Sequence, residues 1–329
     1  MRSIAVGAAL AFGLVLTGGA AVARPLDDGK AGSIYSVRDD GKDRRLIAQP
    51  NIPALGFIRS PGGRSIAYVQ IADGSQALFA ADVSGADPVP LTPSVEYFFG
   101  AIAFSPDGRL IAFAAREKCG NVCQPRSGLF VVGRDGSNLR FLVDGAYDPS
   151  WAPGSRRIAS RGPRGIVVTS LRSGASTVIG PGNYAHSPLW SPRGDRIAYG
   201  TSQEGYGTAC TIDPDGSRRR CTHGRSFKSL VWSPDGRKLA FKQVTPARLG
   251  TMDAYARHLR RFKKVTAKAH PVAWSPDGTR LAYSFGVYYD SVRVLRVSAP
   301  QRSVRVVYEP RTPLRDIRWR GHRISYIAR

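Results

Sequence analysis

"VAWSPDGTRLAY", residues 272–283, is one of seven versions of a single phrase in this chain. The others are "FIRSPGGRSIAY" (57–68), "IAFSPDGRLIAF" (102–113), "PSWAPGSRRIAS" (149–160), "PLWSPRGDRIAY" (188–199), "LVWSPDGRKLAF" (230–241) and a worn copy, "DIRWRGHRISYI" (316–327). All five tryptophans share one column: Trp151, Trp190, Trp232, Trp274 and Trp319. Phe104 fills that column in another copy, and Arg59 interrupts it. Each copy predicts a hairpin. A short apolar strand ends at the aromatic residue. Ser-Pro-Asp-Gly then supplies the turn, because Pro presets φ, Asp bonds nearby backbone and Gly accepts positive φ. A second strand such as "RLIAF" (109–113) follows, apolar on both faces as a strand sandwiched between layers has to be.

A second kind of hairpin lies between these copies. "SIYSVRDDGKDRRLI" (33–47), "LFVVGRDGSNLRFLV" (129–143) and "ACTIDPDGSRRRCT" (209–222) show it best, each with Asp-Gly between apolar strands. Seven hairpins of each kind alternate, at a period of about 44 residues. Four strands per repeat at that period predict an all-β chain, a seven-bladed β-propeller of four-stranded antiparallel blades. The propeller opens on a second hairpin and closes on a first one. Residues 33–47 and 317–327 are therefore expected to pair into one blade, closing the ring between its N-terminal and C-terminal hairpins and leaving no open sheet edge.

The chain has 329 residues, 42% of them hydrophobic, and carries a formal charge of +24. It begins with Arg2, an apolar stretch at 4–16 and the small residues 21–23, the pattern of a signal peptide. The expected organisation is a signal peptide over 1–23, an N-terminal linker over 24–32 and the propeller over 33–329. No later stretch is long and apolar enough to predict an integral membrane span. Export favours oxidised cysteines. Cys210 and Cys221 flank Asp215-Gly216 symmetrically and face each other in a regular hairpin, which predicts a disulfide. Cys119 and Cys123, in "CGNVC", predict a second, local one; a four-cysteine zinc site is the weaker alternative.

The "WSPDGxxIAF" phrase with its Asp-Gly second hairpin resembles the TolB-type (WD-like) propeller repeat, over nearly all of residues 33–329. The resemblance implies a fold and not an activity. It also implies where a site would lie. The loops leading into the innermost strands, and those between each blade's two hairpins, share the face at the channel mouth. Tyr147, Tyr184, His186, Lys228, His270 and Arg315 fall there and are the candidate ligand-binding residues. Tyrosine, histidine, lysine and arginine around one opening suit an anionic or carbohydrate ligand.

No catalytic residue is assigned, because the chain contains no G-x-S-x-G, no H-E-x-x-H and no P-loop. The rival reading is a metal-dependent polysaccharide lyase. Oligogalacturonate lyases resemble seven-bladed propellers and hold a metal through histidines. Here His186, His223 and His270 lack the close spacing of a shared metal centre, so neither a metal nor another cofactor is expected. Arg64, Arg109, Arg156, Arg157, Arg196, Arg237 and Arg280 follow equivalent turns and are expected to ring the opposite face as solvated cations. The denser basic runs at 216–221 and 257–264 lack interleaved aromatics, so nucleic acid is not expected. The reading is an exported, non-catalytic binding or scaffold module of the periplasm, cell envelope or extracellular space. Its expected partner is an envelope protein or an anionic polymer, and a monomer is favoured.

Overall fold

The computed structural model describes residues 32–328 except 53, 55–56, 73–74, 94, 99–100, 118–123, 183–184, 204–205, 223–226, 245, 263–264, 266–268, 286–290, 299, 301–304 and 309–314. The chain is all-β, with seven four-stranded antiparallel blades in a ring. Blade 4 shows the plan: Ala185–Trp190, Ile197–Gln203, Tyr206–Ile212 and Arg220–Cys221 pair in sequence order. Blade 3 (from Tyr147–Trp151), blade 5 (from Phe227–Trp232) and blade 6 (from Ala269–Trp274) repeat it. In blade 2 the first strand is split into Val95–Phe98 and Ala103–Phe104. The first piece also pairs with Ser75–Asp82 of blade 1, which joins blades 1 and 2 into one sheet.

Blade 7 closes the ring as the repeat order requires. Arg315–Arg320 and Arg323–Ala328 supply its inner half, and Ser33–Arg38 and Arg45–Ala48 its outer half. The seam runs from Ser33 opposite Ala328 to Arg38 opposite Arg323, six pairs without a slip.

The recurring phrase explains the blades atom by atom. In three copies the turn serine donates to the turn aspartate: Ser105 to Asp107 at 2.6 Å, Ser233 to Asp235 at 2.6 Å, Ser275 to Asp277 at 2.5 Å. The same hydroxyl accepts the N–H of Leu110, Lys238 or Arg280 across the turn. Three of the tryptophans then reach sideways. Trp151, Trp232 and Trp274 donate their indole N–H to the backbone oxygens of Ala103, Leu189 and Val231, in the innermost strand of the preceding blade, at 2.9–3.0 Å. Innermost strands of neighbouring blades are thus stapled side by side around the axis. Seven apolar clusters of buried residues fill the seven clefts between blades, so the hydrophobic core is itself a ring.

Arg59, which interrupts the tryptophan column, performs the same sideways connection with a charge. It is buried, and its Nε lies 2.5 Å from Asp316 Oδ2 of blade 7 while Nη2 donates to the Asp316 backbone oxygen at 2.6 Å. Arg318 donates to the other oxygen of Asp316 at 2.8 Å and reaches back to the carbonyls of Ser60 and Arg59. Burial pushes the Asp316 carboxyl up, but the adjacent Arg318 and Arg59 more than offset this and hold it below the ordinary range.

Cys210 and Cys221 are disulfide-bonded, directly opposite each other between the last two strands of blade 4. Closing a loop of this length stabilises by roughly 3 kcal/mol in the chain-entropy account. The Cys119–Cys123 pairing falls outside the described residues. Arg64, Arg109, Arg156 and Arg237 are exposed as expected, whereas Arg196 is only 2% exposed. It turns inward because Asp213, also buried, forms an ion pair with it and Thr211 Oγ1 accepts from it at 2.7 Å.

Candidate functional site

The innermost strands do not run regularly to the mouth. Counting back from each tryptophan, the ladder to the second strand slips between Tyr147 and Ser150, His186 and Leu189, Lys228 and Val231, Pro271 and Ala273, and Arg315 and Arg318. These are β-bulges, which re-aim side chains beside a ligand site more often than elsewhere. In four blades the residue three before the tryptophan has a left-handed backbone: Asp148 (φ 56°), Ser187 (50°), Ser229 (52°) and Asp316 (44°). Short polar side chains tolerate that conformation best. The column four before the tryptophan then carries Tyr147, His186, Lys228, His270 and Arg315, one per blade over five consecutive blades. Five of the six predicted mouth residues therefore occupy equivalent positions at one edge of the ring. Tyr184 lies outside the described residues.

Each member of the column has a register partner on its neighbouring strand. Tyr147 is opposite Arg161, whose guanidinium stacks over the phenol ring at 4.8 Å from its centre. His186 is opposite Gly200. A Cβ at Gly200 would come within 2.3 Å of His186 Cε1, so only glycine there leaves room for this ring. Lys228 is opposite Lys242, two like charges at facing positions. His270 is opposite Ser284, and Arg315 is opposite Ile327. His270 also connects blades. Lys242 Nζ lies 2.6 Å from its Nε2, and Ser229 Oγ lies 3.1 Å from its Nδ1. An ammonium can only donate, so Nε2 accepts, and the ring proton sits on Nδ1 toward Ser229. Lys242 of blade 5 thus sets the tautomer of a histidine in the next blade, and Ser229 accepts its Nδ1 proton.

Asp148 is the acidic member of the mouth. Burial pushes its carboxyl above the ordinary carboxylate range, against Arg161 and a hydrogen bond from the Ala101 N–H, which both pull it down. Burial raises the Tyr147 phenol as well. The sign of the Asp148 linkage is fixed. A carboxyl raised in the folded state binds protons that the unfolded chain has already released, so stability falls as pH rises from 3.8 through the folded value. Asp148→Asn removes that fall while keeping an acceptor for Ala101. The variant is expected to melt higher than wild type at neutral pH and equally at pH 3, measured by thermal denaturation across the range. A lower melting temperature at pH 7 would contradict the assignment.

The sequence missed Asp148, Arg161, Ser229 and Lys242. A signal for two of them was present: Asp148, Ser187, Ser229 and Asp316 are short polar residues in one column, where an innermost strand should be apolar. The metal-site idea is not supported by the placed groups. Both ring nitrogens of His270 are engaged by Ser229 and Lys242, and His186 and His270 are separated by blade 5. Among the described residues no group of three or more His, Cys, Asp or Glu is placed to hold a metal ion. His223 falls outside them.

Comparison with known proteins gives the fold. No family profile matches the sequence. The Tol-Pal system protein TolB of Gluconobacter oxydans is 41% identical over 63 residues, 19% of this chain and 14% of that protein, so the match spans a small part of either. A solved TolB-type structure from Agrobacterium tumefaciens superposes with a TM-score of 0.52 at 18% identity, over 90% of this chain and 97% of that one. An oligogalacturonate lyase from Vibrio parahaemolyticus superposes with a TM-score of 0.58 at 13% identity, over 90% of both chains. The chain has the TolB-like β-propeller fold.

Proposed function

We propose that this protein is an exported, non-catalytic binding module of the cell envelope, whose channel mouth receives a segment of a partner protein or an anionic glycan. One observation carries the reading. Column by column the repeat is built for packing, yet the position four before each tryptophan is polar or cationic in five consecutive blades and is presented on a bulge. Tyr147, His186, Lys228, His270 and Arg315 differ from blade to blade while the hairpins behind them stay alike. That is the pattern of a scaffold that varies its ligand contacts. Lys228 facing Lys242, with Lys242 held against His270, adds positive charge that an acidic ligand would offset. The disulfide of blade 4 supports passage through an oxidising compartment.

The test is selection of ligands from displayed peptides and arrayed glycans, followed by variants. Selected ligands are expected to be rich in carboxylates. Tyr147→Ala/His270→Ala is expected to weaken them about tenfold or more, since buried polar contacts of this kind contribute about 1.5–3 kcal/mol each. Selected ligands that bind this double variant and wild type alike would sink the proposal. The likeness in fold to the lyase favours a second reading, catalysis on an acidic polysaccharide. Metal analysis of the purified protein, with an assay for unsaturated oligosaccharide products, decides it.

A further inference from the structure

A second charged surface lies away from the mouth. The turns inside the second hairpins of blades 4 and 5 lie at the end of their strands opposite the mouth, and a contact on that face joins the two blades. Tyr255, from the turn of blade 5, packs its ring on the guanidinium of Arg196 from blade 4, 4.6 Å from the ring centre. Around this junction Arg218, Arg219, Arg220 and Arg257 are exposed. Two of them are held in place. Arg218 donates to Asp213 at 2.6 Å and Arg219 Nε to the Tyr199 hydroxyl at 2.8 Å. The bond through Nε leaves the terminal nitrogens of Arg219 with no other hydrogen bond among the described residues. Arg220 and Arg257 carry no ion pair among them.

We infer that this ridge across blades 4 and 5 is a docking surface for an acidic, carboxylate-bearing polysaccharide, independent of the mouth. A guanidinium fork matches a carboxylate with two parallel bonds. Forks already fixed through Nε lose less side-chain entropy on binding than free ones. The chemistry favours a glycan over the two other common polyanions. Single-stranded nucleic acid is held by aromatic platforms on which bases stack, and duplex DNA, gripped through its phosphates, is an outcome of the test. The ridge has one exposed ring, Tyr255, and Arg196 covers a face of it. Anionic membranes are gripped by apolar side chains that insert beneath the headgroups. Here Ala256 is buried and Leu259 packs into the core of blades 4 and 5, so neither is offered.

The test uses alginate, double-stranded DNA and phosphatidylglycerol vesicles as probes of full-length protein. Arg220→Ser/Arg257→Ser removes two cations that carry no ion pair or side-chain hydrogen bond among the described residues. Arg64→Ser/Arg109→Ser, on the same face of blades 1 and 2, lowers the net charge equally. The first pair is expected to weaken alginate binding about tenfold and to reduce its salt slope by about two. The second pair is expected to leave alginate binding within about twofold of wild type. Equal losses from both arginine pairs would mean bulk charge alone and overturn the ridge. So would loss in the mouth variant with none in the ridge variant, or tighter binding of DNA or vesicles than of alginate at the same salt concentration.

Discussion

Asp316→Ala is expected to lower the unfolding free energy by about 3–5 kcal/mol, the cost of stranding a buried cation. Asp316 is the carboxylate that Arg59 and Arg318 share across the seam between blades 7 and 1, and both it and Arg59 are 6% exposed at the side chain. Removing it leaves the Arg59 guanidinium buried, where desolvation already pulls its pKa down and Asp316 is the main group opposing that pull. The loss falls on the closure of the ring, because Arg59 also donates to Ser325 in blade 7 at 3.0 Å. Replacing both partners by apolar residues of similar size, Arg59→Met/Asp316→Leu, is expected to recover most of it, since the desolvation penalty goes with the charges. Urea melts of the three proteins check this. The pH dependence has a fixed sign. The Asp316 carboxyl is depressed in the fold, so its contribution is complete above the ordinary value of 3.8 and is lost as pH falls below that toward the folded value. Wild type is expected to lose stability over that acid window, and Asp316→Ala to be flatter there.

Trp232→Ala is expected to cost about 3–5 kcal/mol, the range for deleting a large buried aromatic. More telling is the comparison of tryptophan with phenylalanine at equivalent sites. Trp151, Trp232 and Trp274 each bond a carbonyl of the preceding blade, whereas the buried indole nitrogen of Trp190 has no hydrogen-bond partner among the described residues. Trp232→Phe strands the Leu189 carbonyl; Trp190→Phe strands nothing. The first is expected to destabilise by about 1–3 kcal/mol more than the second. Equal losses would mean that the column acts through packing alone and not as a hydrogen-bonded staple.

These two results bear on how far the sequence could be read. The repeat, the turn chemistry and the order of hairpins predict the blades, the ring closure and the Cys210–Cys221 bridge, because all three depend on local residue types at fixed spacing. Arg59 looks like damage to the tryptophan column in the sequence; its partner Asp316 is 257 residues away and comes beside it only when the ring closes. Arg196 reads as one more solvated arginine, since nothing local shows that Asp213 will sit behind it. The candidate mouth column was half legible. The loops entering the innermost strands pointed to Tyr147, His186, Lys228, His270 and Arg315, and distance from the tryptophan marked His186 and His270 as equivalent. The bulge that presents them, and the second-strand groups Arg161 and Lys242 that meet them, follow from register, which a single strand's sequence does not reveal.

The most direct measurement of the central claim is hydrogen–deuterium exchange of the full chain with and without a ligand selected for binding. Protection is expected at the mouth ends of the innermost strands, over Tyr147–Trp151, Ala185–Trp190, Phe227–Trp232, Ala269–Trp274 and Arg315–Arg320, and to vanish in Tyr147→Ala/His270→Ala. Protection confined to the outer strands or to the opposite face, unchanged by that variant, would contradict a ligand site at the channel mouth.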